Sequence, residues 1–486
     1  MLNLSKIFAK NLNPLKRTKM ICTIGPTSDK VDVLSAHLKN QMNVCRLNFS
    51  HDNHEVHSKK IDKVKEAIKM NPQNDDIAIM IDTKGPEIRT GYLQTKKIQL
   101  EAGQEIIVTT DYDIKGDSNK ISVSYGDLAT TVDVGSKILI ADGNLSLEVK
   151  EVDRKGGEVK AVVLNDFLLG EKKNVNLPGA KITLPTITEK DEYDIVDFSS
   201  KNEVDMVALS FARSAECIRS CRALLGEKGK HIKIIPKIEN QEGLENLEEI
   251  LEVSDGVMIA RGDLGMELEP SRVFLAQKYI TQTAHKHRKP VIVATQMLES
   301  MTENSRPTRA EITDVGNAVF DLNDVIMLSG ETGNGNFPIE STSTMTDIAR
   351  EAERNCDYLT KFRNKDLKTE NESEALGLAA VNLAYSSGSQ LIICLSNEVE
   401  LVEFVSFLKP DAHIIYPHQE GRVRRGLQLN YGVQTVGLEQ SVFNNREALV
   451  QKCLDRANQL GIGNLSDTYV VVDGNRNELS IKNLTN

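Results

Sequence analysis

The sequence predicts an α/β chain: a TIM (β/α)8 barrel, interrupted by a small β-barrel lid domain and followed by an α/β C-terminal domain. Three observations predict it. Eight short apolar runs each end in polar or glycine residues and lead into a helical pattern, and strands alternating with helices make parallel sheets. Between the third and fourth runs, roughly 95 residues alternate polar and apolar with period two and hold no long helix. After the eighth run, helix and strand patterns alternate again for roughly 120 residues. Charged and hydroxyl residues gather at the carboxyl ends of the eight runs, the face on which such barrels do their chemistry. A doubly wound open sheet is the alternative, but no GxGxxG loop opens any unit and no Walker lysine motif occurs.

Taken in order, the first 19 residues carry Lys6, Lys10, Lys16, Arg17 and Lys19 and no acid. Residues 1–16 read as a solvated N-terminal arm rather than a transit peptide, because arginine is scarce and no cleavage pattern is visible. Residues 17–86 hold the first three barrel runs, TKMICTIGP, MNVCRLNFSH and DIAIMIDTKGPEIR. In the second, period two puts Arg46, Asn48 and Ser50 on one face, and the third closes with Asp82, Thr83, Lys84, Glu87 and Arg89. An antiparallel lid is expected over 87–185, entered at Pro86, left at Pro185 and turning at Asp142-Gly143 and Gly156-Gly157. An insertion at a strand end is placed to close over the barrel mouth. Residues 186–354 resume the barrel with VDMVALSFARS, IKIIPKIENQEG, DGVMIARGDLGMELE, KPVIVATQMLESM and DVIMLSGETGNG. Residues 355–486 lack a charged strand-end cluster and read as an assembly or regulatory domain.

The stretch 232–263 carries the densest chemistry. Lys237 and Glu239 alternate around Ile238, so pleating points both charges one way, and Arg261, Gly262 and Asp263 end the next run. If the two strand ends meet, two carboxylates suit Mg2+ and the ammonium suits a phosphate, beside a glycine that lets backbone amides approach a ligand. With Arg46, Asn48, Ser50, Asp82, Thr83, Arg89, Thr295, Ser329 and Glu331 on the same rim, the inventory is that of phosphoryl transfer.

Composition removes other classes. A net charge of −11 argues against a nucleic-acid binder, and no apolar run reaches the roughly 18 residues of a membrane span. Seven scattered cysteines make no disulfide framework, which points to a reducing cytoplasm.

The segments RLNFSH (46–51), IDTKGPEIR (81–89), KKNVNLPG (172–179), PKIENQEG (236–243), ARGDLGMEL (260–268), ATQMLESM (294–301), RPTRAEITDVGNAV (306–319) and MLSGET (327–332) closely resemble the pyruvate kinase family, in its order. The resemblance runs from about residue 17 to 354 and weakens beyond. It implies transfer of the phosphoryl group of phosphoenolpyruvate to ADP, giving pyruvate and ATP as the last step of glycolysis, by a cytoplasmic homotetramer. It implies that Glu239 and Asp263 hold Mg2+ or Mn2+, and that the Gly262 and Asp263 amides with Thr295 take the substrate carboxylate. Lys237 and Arg46 would contact the migrating phosphate, while Asn48, Phe49, Ser50, His51, Arg89 and the lid's Lys173 would hold the nucleotide. Thr295, Ser329 and Glu331 are candidates for protonating the enolate. Asn48, Ser50, Asp82 and Thr83 would cage K+, and Glu87 resembles the potassium-dependent members.

Two departures stand out. Asp52 follows the Ser-His pair where the family has glycine, which adds a negative charge near the nucleotide. In the stretch 395–404, Glu398, Glu400 and Glu403 replace a basic, glycine-rich loop, so no activation by fructose 1,6-bisphosphate is expected there. A metal-dependent aldolase or lyase barrel would need neither Lys173 nor the RLNFSH segment. An inactive paralogue would be expected to lack Lys237 or a metal carboxylate, and all three are present.

Overall fold

The computed structural model describes residues 7–8, 15–72, 76–365, 367–462 and 466–483. Eight strands close into a barrel: β1 (Lys19–Thr23), β2 (Val44–Asn48), β3 (Ala78–Asp82), β4 (Met206–Leu209), β5 (Lys233–Ile238), β6 (Val257–Ala260), β7 (Val291–Ala294) and β8 (Val325–Leu328). Each pairs in parallel with its neighbour in sequence order, and β1 closes on β8. Alternate residues explain both faces. Cys22, Leu47, Ile79, Ile81, Val207 and Ile259 point outward to the helices, whereas Ile21, Val44, Met80, Ala208, Ile235 and Met327 fill the barrel.

The helices start where side chains can cap them. Asn53 accepts the Val56 amide at 3.1 Å, and Thr308 with Glu311 forms a capping box ahead of Arg309–Phe320. Asn240 caps Gln241–Glu245 through the Gly243 amide at 2.8 Å. At Gly243 a Cβ would stand 2.4 Å from the Ala212 carbonyl, so only glycine lets this helix sit against the β4 loop.

The lid is a seven-stranded sheet with a separate two-stranded ladder, Phe167–Gly170 on Lys97–Leu100. Its entry strand Ile88–Arg89 pairs with its exit strand Asn174–Asn176. One pair departs from the antiparallel expectation: Glu105–Thr109 runs parallel to Lys120–Ser122. The Asp117 carboxylate takes the Asn119 and Lys120 amides at 2.8 and 3.1 Å, turning the chain back before it re-enters the sheet. The C-terminal sheet runs Val433–Val436, His413–Pro417, Leu391–Leu395, Thr468–Asp473, Glu478–Asn483, all parallel but the last pair. Within 395–404 the acids are not massed: Glu403 reaches Lys233 at 2.7 Å and Glu400 accepts from the Asn371 side-chain Nδ2 at 2.5 Å, while Glu398 is exposed.

In the expected arm, 1–16, residues 1–6 and 9–14 lie outside the described residues; Ile7 and Phe8 are exposed, whereas Lys16 at its end is not solvated. Lys16, Arg17 and Lys19 are buried between the barrel and the C-terminal domain. Glu353 accepts the Arg17 and Thr18 amides at 2.9 and 2.6 Å, Lys16 Nζ donates to Gln41 O at 2.8 Å, and Lys19 Nζ donates to the Val433 carbonyl. Burial, with Lys16 beside it, pushes the Lys19 amine down to about 7, against 10.5 in an unfolded chain. Between those values the unfolded chain binds more protons, so stability rises with pH above about 7, and the cost of burying the amine is in full force below it. Lys19→Met is expected to raise the melting temperature at pH 6, with the gain shrinking towards pH 9. A calorimetric gain independent of pH would contradict this.

Candidate active site at the barrel mouth

The inward-facing positions change from apolar to polar as the strands reach the mouth. On β2 the series is Val44, Arg46, Asn48; on β3 it is Ala78, Met80, Asp82; β4 gives Ala208 then Ser210, and β5 gives Ile235, Lys237, Glu239. Adjacent strands therefore bring these groups together, with Asp82 at the centre. Its Oδ2 takes Arg46 Nε at 2.7 Å and its Oδ1 takes Lys237 Nζ at 3.0 Å. Lys237 also reaches Glu239 Oε1 at 3.0 Å and Ser210 Oγ at 2.9 Å, and Arg46 donates to Thr23 Oγ1 at 2.7 Å.

The charges are buried and interdependent. Burial alone would lower the Lys237 amine, but the Asp82 and Glu239 carboxylates outweigh it and hold Lys237 charged. Burial opposes ionisation of Asp82 too, yet Arg46 and Lys237 keep it ionised, below the usual carboxylate range. Burial pushes Glu239 up to about 7, with Lys237 opposing and Asp263 adding. Asp263 is likewise raised by burial, and its carboxyl faces that of Glu239. A buried and a half-buried acid that crowd one another fit a divalent cation, which would let both ionise. Two carboxylates alone do not fill the coordination shell of such an ion, so substrate and water oxygens would complete it.

Asp263 belongs to the helix Arg261–Glu267, which begins directly at the end of β6. The Gly262 amide points to Thr295 Oγ1 at 2.8 Å, and Thr295 donates to the Ala294 carbonyl at 2.6 Å. Thr295 and Gln296 both hold positive φ, 68° and 55°. Arg261 fixes this turn, donating from Nη2 to Thr295 O at 2.6 Å while Nη1 pairs with Asp314 at 2.8 Å.

At the end of β8 the two candidates differ. Glu331 is fully buried and accepts the Ser329 and Leu298 amides at 2.7 and 3.0 Å, so it fixes the loop. Ser329 Oγ is buried with no hydrogen-bond partner among the described residues. Asn48, Ser50, Asp82 and Thr83 lie together on the ends of β2 and β3: Asn48 pairs in register with Asp82 and accepts the Ser50 amide at 3.0 Å. The Thr83 carbonyl accepts Ser210 Oγ at 2.5 Å.

On the lid side, a cavity of about 350 Å3 is lined by Glu87, Arg89, Lys173, Arg213, Asp263 and Glu267 among others. Arg89 is held by Glu87 at 2.6 Å and by the Lys172 carbonyl at 2.9 Å. His51 stands at the mouth with its carbonyl on His57 Nε2 at 3.0 Å. Phe49 does not share this role. Its ring is buried, stacked on His57 at 4.3 Å, and its backbone N–H and C=O are taken by Asp82 and Lys190. The period that turns Arg46, Asn48 and Ser50 inward turns Phe49 out. Asp52 adopts φ 62°, which suits the glycine expected there, and its carboxylate is neutralised by Lys60 at 2.7 Å, so its charge is spent locally.

Sequence reasoning missed Ser210, Arg213 and Glu267, and it placed Arg261 at its strand end without giving it a role. Position was the available signal for Ser210, the first residue beyond β4, and for Arg261, the first beyond β6.

Residues 15–342 match the family model for the pyruvate kinase barrel domain, and residues 374–485 match the model for the pyruvate kinase alpha/beta domain. The chain belongs to the pyruvate kinase family. Pyruvate kinase of Eimeria tenella is 43% identical over 96% of this chain and 87% of its own length. That of Dictyostelium discoideum is 44% identical over 94% and 91%. A probable cytosolic isozyme of pyruvate kinase from Arabidopsis thaliana is 45% identical over 82% and 81%. The crystal structure of a pyruvate kinase from Cryptosporidium parvum superposes with a TM-score of 0.94 at 40% identity, covering 100% of both chains. The protein is a pyruvate kinase, a phosphotransferase of a generally metal-dependent family that uses phosphoenolpyruvate and ADP. No helix of the described residues is long and apolar enough to cross a membrane.

Proposed function

We propose that the transfer takes place at the Asp82-centred cluster, where Lys237 and Arg46 stabilise the phosphoryl group in flight. The observation that carries this is a single buried carboxylate, Asp82, holding both cations within 3.0 Å at the mouth. Two fixed positive groups aimed at one spot suit a group whose charge spreads over three oxygens as it moves. The bond from phosphorus to the enol oxygen breaks and one to the terminal ADP oxygen forms. The Gly262 and Asp263 amides and the Thr295 hydroxyl hold the substrate carboxylate, supported by their place at a helix start. The enolate then takes a proton at its methylene carbon. Of Thr295, Ser329 and Glu331, the first two keep that role, because both Glu331 oxygens are occupied by backbone amides.

Glu239 and Asp263 would hold Mg2+ or Mn2+, which supplies positive charge where substrate oxygens converge. Asn48, Ser50, Asp82 and Thr83 would hold K+. Arg89, His51, Asn48, Ser50 and Lys173 would bind the nucleotide. This reading takes residues 17–86 and 186–354 as the barrel, 87–185 as the lid and 355–486 as the C-terminal domain. A homotetramer is supported by Phe274, Leu275, Tyr279 and Ile312, large apolar side chains left exposed on two barrel helices. A cytoplasmic location is supported by the names of the plant relatives and by seven free cysteines. No fructose 1,6-bisphosphate activation is expected at 395–404, where Glu398 stays exposed.

A lactate dehydrogenase-coupled assay with phosphoenolpyruvate, ADP and Mg2+ tests the reading. Turnover is expected with K+ and is expected to fall at least tenfold when a bulky organic cation replaces it. Undiminished turnover would remove the K+ site.

A further inference from the structure

The helix Arg261–Glu267 carries Gly262 and Asp263 in its first turn, and its other end meets the lid. Glu267 lines the cavity between lid and barrel, and its carboxylate interacts with the Gly179 amide and the Asn176 side chain of the lid. Beside it, Met266 Sδ packs 2.9 Å from where a Cβ would stand on Gly143, the tip of a lid turn at φ 76°. Just beyond the helix, Glu269 lies 4.0 Å from the lid's Lys137.

On the lid side these contacts converge on one strand. Asn174–Asn176 directly follows Lys173, pairs with the strand bearing Arg89 and ends at Glu267. The nucleotide residues Lys173 and Arg89 and the latch on Glu267 are thus parts of one rigid ladder. On the barrel side the helix is pivoted at Arg261, which is tied to Asp314 and the Thr295 carbonyl. Two helical turns span roughly 10 Å and do not stretch, so a shift at Glu267 reaches Asp263. The lid also brings Asp142 and Glu87 near enough to act electrostatically on Asp263.

We propose that Glu267 is a positioning residue that couples the lid to the metal carboxylate Asp263, so that nucleotide binding under the lid and divalent-cation binding reinforce each other. This rests on the assignment of Asp263 to the metal. The role assigned to Glu267 is not contact with substrate or metal. Glu267 acts by holding the lid strand to the helix that bears a ligand, and coupling of this kind is reciprocal.

The test is steady-state kinetics with ADP and Mg2+ varied independently, together with calorimetric titration of Mg2+ with and without ADP, for Glu267→Ala, Glu267→Gln, Asn176→Ala and the Glu267→Ala/Asn176→Ala double variant, with Asp263→Asn in parallel. Glu267→Ala is expected to raise both the KM for ADP and the half-activating Mg2+ about tenfold, with kcat changed by less than about threefold. Glu267→Gln keeps an acceptor for the Gly179 amide and is expected to recover most of the loss. The double variant is expected to be no worse than the worse single one, because both remove the same contact. Wild-type Mg2+ and ADP saturation in Glu267→Ala, or effects of the two substitutions that multiply as for independent sites, would overturn the coupling. An unaltered metal response in Asp263→Asn would instead overturn the metal assignment beneath it. Should Glu267→Ala fail to fold, Glu267→Gln and Asn176→Ala carry the same comparison.

Discussion

Replacing Lys237 with Met is expected to lower kcat by 10^2- to 10^3-fold or more, about 3 to 4 kcal/mol of barrier, because it removes a charge aimed at the phosphoryl group in transit. Metal binding should survive. Lys237 is a cation among Asp82, Glu239 and Asp263, so its loss leaves the acids more crowded and a divalent cation no less welcome. The fold should survive as well, since Asp82 keeps Arg46 at 2.7 Å and Glu239, already at about 7, takes up a proton. Single-turnover measurements together with metal titration separate the two effects. A loss of less than about tenfold, or parallel losses of turnover and metal affinity, would show that Lys237 organises the site rather than acting on phosphate.

Asp263→Asn should have the opposite profile. In the metal-free protein the half-buried Asp263 and the buried Glu239 carboxyls face each other and are both raised, so an amide at 263 resembles the protonated acid and leaves thermal stability intact. What it removes is a charged ligand. Half-activation by Mg2+ should rise at least tenfold, about 1.4 kcal/mol or more. The wild type adds a pH signature. The metal needs Glu239 ionised, so affinity is full above about pH 7 and declines as pH falls through that value, with a proton released on binding below it. Isothermal calorimetry in buffers of different ionisation heat measures that proton. Wild-type metal affinity in Asp263→Asn, or no proton released near pH 6, would exclude the two-carboxylate site.

The barrel was legible because its signal is local. Each of the eight runs is apolar on both faces, and polar residues arrive only where the inward positions reach the mouth, as in Ile235, Lys237, Glu239. Pleating alone put Lys237 beside Glu239 and grouped Arg46 with Asn48 and Ser50. The same period, applied strictly, would have turned Phe49 into the core. Residues whose role depends on which strand lies next to which were out of reach. Ser210 matters because β4 stands between β3 and β5, which lets one hydroxyl bond both Lys237 and the Thr83 carbonyl. Lys16 and Lys19 read as solvated because their partners lie away in the sequence: Lys16 finds Gln41 and Asn43 on the barrel, and Lys19 finds its acceptor at Val433, some 400 residues on. Glu267 falls on a helix, where a glutamate is usually solvent-facing, and it takes the lid to give it partners.

The way the chain passes from β3 into the lid and back to β4 bears on how the molecule is assembled. Those two strands are hydrogen-bonded neighbours, with Met80 opposite Met206. Bringing them together from a disordered chain would mean closing a long loop against its entropy. The lid shortens that search, because its first and last strands pair with each other and deliver the chain ends side by side. A guest domain that folds early would act as a clasp, and its formation would then set the rate at which the barrel can shut.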